Sequence, residues 1–242
     1  MKRLLMILVL LLMSFPLYSD IQNDIKSAID SYKIKNYNQT IKTYETIISD
    51  GFCNSVIYYN LANSYLNVND IGKASLNNER ALILTPRDKD VRNLKSFITE
   101  LIKEPEQNFA EKTIENLKLI LNLNEIIILI FILFGFTTVF IVLYLILYKK
   151  IWLKFSIIFF ICFLLFMPVF YLKIKDEVFT KQAVIIKNVD VRNKPIFSEA
   201  VSFSIVAGRK VIVLEEIGRW ANVKLSVEGL SGWIDKHSVE II

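Results

Sequence analysis

Residues 126–172 read IIILIFILFGFTTVFIVLYLILYKKIWLKFSIIFFICFLLFMPVFYL, and this stretch decides the fold. Ile126–Tyr148 runs for 23 residues without a charge. A helix of that length reaches roughly 35 Å, enough to cross a hydrocarbon layer of about 30 Å. Phe155–Leu172 is a second uncharged run of 18 residues, just long enough to cross. Only residues 149–154, Lys-Lys-Ile-Trp-Leu-Lys, lie between them, so the two spans must run antiparallel. That loop carries three lysines and no acid, and the excess of positive charge places it in the cytoplasm. Both flanks, 20–125 and 173–242, are then expected together on the periplasmic side of a bacterial inner membrane. Neither span contains an ionisable residue, which argues against ion or proton transport. Gly135 with Thr137 and Thr138 suits a close helix contact, and Pro168 suits a kink. Phe155, Phe159, Phe160, Phe163, Phe166 and Phe170 read as lipid-facing bulk.

Composition agrees with a membrane chain: 53% of the 242 residues are hydrophobic, above the level of an ordinary soluble domain. The net charge of +5 is unevenly placed. Lys2, Arg3 and the loop lysines carry it, whereas segment 20–104 has 11 basic and 11 acidic residues and 178–242 has nine and seven. Neither flank offers a surface for a polyanion, so no nucleic-acid partner is expected. Cys53 and Cys162 fall in different modules and form no disulfide framework. Residues 1–19 read as a signal peptide: basic Lys2-Arg3, an apolar Leu4–Met13, then Ser19 before Asp20. Cleaved or kept as an anchor, it leaves Asp20 outside.

From Asp24 to about Lys103 the apolar residues keep helical spacing and an internal period of 34 residues. Ala28 recurs as Ala62, Tyr37 as Ile71, Thr40 as Ala74 and Ile47 as Ala81. In the second copy, small residues at Ala62, Ala74 and Ala81 let two antiparallel helices approach, while Tyr58, Leu61 and Tyr65 fill the space around them. Asn69-Asp70-Ile71-Gly72 makes the turn, and Pro86 stops the second helix. These positions together resemble a tetratricopeptide (TPR) repeat. Residues 20–104 are therefore expected to form two TPR repeats, with Arg87–Lys103 as a capping helix.

A TPR array uses the first helix of each repeat to line a groove. That resemblance puts Ile25, Lys26, Ile29 and Tyr32, then Tyr59, Asn60, Asn63 and Asn67, then Asn93 and Phe97 on a partner-binding surface. Asparagine amides suit the backbone of a bound peptide. The alternative is a solvated face whose asparagines reflect an AT-rich genome. Residues 105–125 are expected to form an amphipathic linker on the bilayer surface, with a helix extending the array as the competing reading.

Lys173–Lys181 reads as a tether, after which the pattern changes to period two. Strands are expected at 183–186, 210–214, 220–225 and 232–234, separated by glycine turns, and would close into a small barrel. Asp190-Val191-Arg192 with Pro195, and Gly229-Leu230-Ser231-Gly232-Trp233-Ile234, make residues 182–242 resemble a bacterial SH3-like domain. Arg192, Trp220 and Trp233 are its candidate ligand-binding residues, although the two indoles read first as pins of a small core and only second as a ligand surface.

The fold class is thus a multidomain membrane protein: an α-helical TPR solenoid, a two-helix transmembrane hairpin and a small all-β SH3-like barrel. The order of modules, with Tyr58-Tyr59-Asn60-Leu61-Ala62-Asn63-Ser64-Tyr65, Glu79-Arg80-Ala81-Leu82 and Pro86-Arg87-Asp88, is similar to the BatE family of the Bat (aerotolerance operon) group. That resemblance implies envelope partners with von Willebrand A domains and a MoxR-type ATPase, in tolerance of oxidative or envelope stress. The function expected is a scaffold with no cofactor; peptidoglycan binding by the barrel is the alternative. An enzyme is not expected. His237 is the only histidine, no Cys–His pair suits a nucleophile, and Glu215-Glu216 alternate faces on a strand.

Overall fold

The computed structural model describes residues 21–105, 113, 122–225 and 227–242. The expected signal peptide and most of the expected linker lie outside these residues. Among the described residues there are seven α-helices and one seven-stranded sheet.

Helix α1 covers 21–33, α2 Tyr37–Ser49, α3 Ser55–Asn67, α4 Ile71–Leu84 and α5 Lys89–Leu101. Side-chain oxygens at the N-caps start four of them. Asn36 accepts from Gln39 N–H, Asn54 from Ile57, Asp70 from Lys73, and Asp88 from Asp90 and Val91. The asparagines at 36 and 54 are thus structural. The 34-residue period is visible in the backbone. Lys35, Asn69 and Lys103 all adopt left-handed φ, at 62°, 61° and 51°. Each ends a helix, so α5 closes in the same way as α1 and α3. The small positions behave as their period requires: Ala28, Ala62, Thr40, Ala74 and Ala81 are fully buried. Tyr44, Ile47, Leu61 and Tyr65 fill the space around most of them, each such burial stabilising by about 1.5–3 kcal/mol.

Helices α6 (Leu123–Leu147) and α7 (Lys150–Ile174) are long and apolar enough to cross a membrane. Their outer faces are bare hydrocarbon, with Phe131 71% and Leu165 69% exposed. The bend is tighter than the sequence suggested. It consists of Tyr148, left-handed at φ 52°, and Lys149, because Lys150–Lys154 already belong to α7. Likewise α6 begins before Ile126, taking in Leu123 and Asn124, and α7 runs on through Pro168 to Ile174. The expected tether begins as a π-helical turn, Lys175–Phe179.

Contact within the hairpin also differs from expectation. Ser156 Oγ donates to Thr137 O at 3.3 Å, and both residues are buried. Gly135 is not at this contact: nothing lies within 4 Å of where its Cβ would be. Several phenylalanines face the partner helix rather than lipid alone. Phe140 lies 5.7 Å from Phe155, 5.4 Å from Phe159 and 5.9 Å from Trp152, and Phe136 lies 5.1 Å from Phe159. Trp152, Phe155 and Phe159 recur at helical spacing, which turns them to one side of α7.

The strands are β1 Gln182–Ile185, β2 Val189–Arg192, β3 Val201–Ile205, β4 Lys210–Ile217, β5 Trp220–Leu225, β6 Ser231–Asp235 and β7 Val239–Ile241. All pairings are antiparallel, in the order β3-β2-β6-β5-β4-β1-β7. The sheet is open, not the closed barrel expected, because its end strands β3 and β7 do not pair. It nevertheless curls round one core, to which Ile185, Val191, Ile205, Val211, Val223 and Ile234 contribute and on which Val239 packs. The free edge of β7 meets α4 instead of β3: Arg80 Nη2 donates to Ile241 O at 2.9 Å. An arginine of the helix here takes up a carbonyl of the edge that barrel closure would have paired.

Candidate functional site

Three surfaces carry the residues of interest: the expected groove, the outer face of the sheet, and a seam between helices and sheet.

On the groove side, Ile25 and Tyr59 pack against the helical core, while Lys26, Ile29, Asn93 and Phe97 are exposed. The asparagine amides are already engaged within the chain. Asn60 Nδ2 donates to Tyr44 Oη at 3.1 Å, Asn63 Nδ2 to Tyr59 O at 2.9 Å, and Asn67 Nδ2 to Asn63 O at 2.8 Å. Asn67 also reaches the Tyr32 hydroxyl at 3.3 Å, joining α1 to α3. A peptide on this face would meet carbonyl oxygens of the amides more readily than their N–H groups. Below the surface, burial and then the Glu45 carboxylate push the Tyr65 hydroxyl up, so it stays a donor to Glu45.

On the sheet, alternation separates core from outer face. Ala221, Val223 and Leu225 of β5 and Ile234 of β6 point into the core. Trp220 and Asn222 therefore lie on the other face, and so do their partners in register, Asp235 and Trp233. Arg192 is opposite Trp233 on β2 and shares that face. The structure thus brings Arg192, Trp220 and Trp233 together and keeps both indoles out of the core cluster. Trp220 is covered by Phe197, with ring centroids 4.6 Å apart, and Arg219 stands 4.5 Å above the Phe197 ring. Arg219 is held by Asp235 at 2.8 Å, and its guanidinium keeps that carboxyl below its usual range. Between the indoles, Asn222 Oδ1 is buried and accepts no hydrogen bond among the described residues.

The seam was not expected from sequence. Helix α4 lies against β1, β4 and β7 through polar side chains that would otherwise face water. A Cβ on Gly72 would stand 2.3 Å from the Ile186 carbonyl oxygen, so only glycine permits this approach. Ser75 Oγ donates to Gly208 O at 2.7 Å. Gly208 has φ 95° and packs against Ile71 and Ile102. Glu79 is buried between two ammonium groups, 2.8 Å from Lys210 Nζ and 3.3 Å from Lys95 Nζ. Burial pushes its carboxyl up, but Lys210 and Lys95 outweigh that and hold it at about 2. Arg80 pairs with Glu240 at 3.1 Å. Gly72 is thus a packing glycine inside α4; the turn is made by left-handed Asn69 and the cap Asp70. Glu79 and Arg80 stood out in the sequence only within the phrase Glu79-Arg80-Ala81-Leu82, and nothing marked them or Ser75 as a contact with the sheet, because polar residues on the outer side of a helix read as solvated.

Fold and surfaces together define the class: a helix-pair array and a curled sheet joined at one end of a hairpin of two helices long and apolar enough to cross a membrane. By sequence, the chain matches no protein-family model and no curated protein.

Proposed function

We propose that the chain is a non-catalytic scaffold of the bacterial inner membrane, holding a TPR-type groove and an SH3-like sheet together on the periplasmic side. The observation that carries this reading is the seam, where Glu79, Ser75 and Arg80 fasten α4 to the sheet. Two surfaces of the kind that grip partners are thereby presented in fixed relation. A partner touching both meets the second site at high effective concentration, without the linker entropy of separate modules. The partners proposed are envelope proteins of the Bat type, those with von Willebrand A domains. Crosslinking in intact cells followed by pull-down from membranes tests this. Recovery of such proteins, lost on Ile29→Glu with Phe97→Glu, is expected; a pull-down unchanged by that pair overturns the groove.

The outer face of the sheet supports a second reading, peptidoglycan binding. Trp220 is already covered by Phe197, so Trp233 is the ring that would stack on a sugar, and Asn222 Oδ1, which accepts no hydrogen bond among the described residues, would orient it. Detergent-solubilised full chain should then sediment with purified sacculi, and Trp233→Ala should remain in the supernatant.

A further inference from the structure

The helical array also touches the head of the hairpin. Arg87, in the turn between α4 and α5, pairs with Glu125 at the start of α6, and Asn122 Nδ2 donates to Leu84 O at 3.4 Å. Between turn and hairpin lies a cavity of about 280 Å³, lined by Leu84, Thr85, Pro86, Arg87, Asp88 and Asn122. Its depth follows from the spans. Asn122 caps α6 only four residues before Ile126, where the long uncharged run begins, so the cavity opens where lipid headgroups sit. Ile83 and Leu84 are exposed beside it, which suits the acyl boundary and not bulk water.

The groups at the cavity have both signs. The Arg87 guanidinium is more than half exposed, and among the described residues Glu125 alone engages it. The Asp88 carboxylate caps α5 through Oδ1 only. Asn122 Oδ1 is buried in the capping box that opens α6, facing the Glu125 backbone N–H. A donor fork and a carboxylate face one space. Glu125 and Lys173 stand nearby with one charge of each sign, so the surroundings are balanced and suit a ligand that carries both charges.

We infer that this cavity holds the headgroup of one zwitterionic phospholipid carrying a primary amine. Its phosphodiester lies against Arg87, and its ammonium against Asp88. A guanidinium fork matches phosphate oxygens. A primary ammonium supplies N–H donors to the second oxygen of the Asp88 carboxylate, which a quaternary ammonium cannot. The inference rests on α6 and α7 spanning a bilayer and is independent of the scaffold's partner.

The test is native mass spectrometry of the full chain in detergent, titrated with dihexanoyl phosphatidylethanolamine. Dihexanoyl phosphatidylcholine, dihexanoyl phosphatidylglycerol and inorganic phosphate serve as competitors. One ethanolamine lipid per chain is expected, with the other two lipids weaker by about tenfold, the scale of a lost charged hydrogen bond. Arg87→Gln and Asp88→Asn should each weaken it by a similar factor. Asp88→Asn keeps a competent N-cap and so separates headgroup binding from helix stability. Equal binding of the three lipids, displacement by inorganic phosphate, or unchanged binding in both variants would overturn the site. Extraction of membranes at alkaline pH reports the anchoring separately: release of the chain would mean that the spans, and not the headgroup chemistry, had been misread.

Discussion

Gly72 and Glu79 do opposite kinds of work at the same seam. Gly72 contributes by what it lacks, since a single methyl would press on the Ile186 backbone, which has no flexible end to move. Gly72→Ala should cost about 3 kcal/mol by overpacking, read as a lowered melting temperature of the full chain in detergent. Gly135→Ala, facing open space in the hairpin, should stay within about 0.5 kcal/mol and serves as the control. Glu79 contributes charge. Its carboxyl falls from 4.5 to about 2 on folding, so its stabilisation is fully present above pH 4.5. It is lost as pH drops from there towards 2, and amounts to the order of 3 kcal/mol. Glu79→Gln should remove that acid-dependent slope and loosen the seam at neutral pH, leaving Lys210 partly buried without its partner. Hydrogen exchange at Ile186 and Gly208 measures both effects. A Glu79→Gln chain with the wild-type acid profile would contradict the assignment. None of this was legible in the sequence. Glycine in Asn-Asp-Ile-Gly looks like a turn residue, and its actual constraint comes from a carbonyl more than a hundred residues away.

At the scale of elements, legibility followed the range of the forces. The helix pairs were readable because their packing repeats at 34 residues: Ala28, Ala62, Ala74 and Ala81 announce close approach before any coordinate is known. Strands β4, β5 and β6 were readable from alternation. Strands β3 and β7 were not, since Val201-Ser202-Phe203-Ser204-Ile205 sits at an edge with one face open, and Val239–Ile241 is only three residues long. Closure of a sheet depends on whether its two end strands meet, which no local pattern encodes; here Arg80 of α4 reaches the β7 edge instead. In the hairpin, hydrophobicity revealed the spans but not which phenylalanines face each other, because every face of such a helix is apolar. Phe140 touches Trp152, Phe155 and Phe159 together. Phe140→Ala should therefore weaken helix–helix contact by about 1–3 kcal/mol, two or three aromatic pairs at about 0.5–1.5 each. Phe131→Ala, on the exposed side of α6, should cost less. Thermal unfolding of the two variants in the same detergent decides this, and an equal loss in both would deny the cluster its role.

For the whole molecule, topology is constrained twice. The hairpin crosses an even number of times, so its flanks share a side if both helices span. Independently, the seam requires residues 72–80 and 186–241 to touch, which a bilayer between them would forbid. The lysines bear on the side proposed above. Lys149, Lys150 and Lys154 gather at the N-terminal end of α7, where a helix dipole disfavours cations. The adjoining C-terminal end of α6 offsets that cost, and the proposed cytoplasmic placement of the bend would give the charges a purpose. Cysteines placed one at a time at 149 and 240, in a chain with Cys53 and Cys162 replaced by serine, test the arrangement with a membrane-impermeant maleimide on intact spheroplasts. Labelling at 240 alone is expected, with 149 reacting only after the membrane is opened. Labelling at 149 from outside would invert the topology while sparing the seam. Labelling at both would mean that the helices do not span, and the proposed headgroup cavity would fall with them.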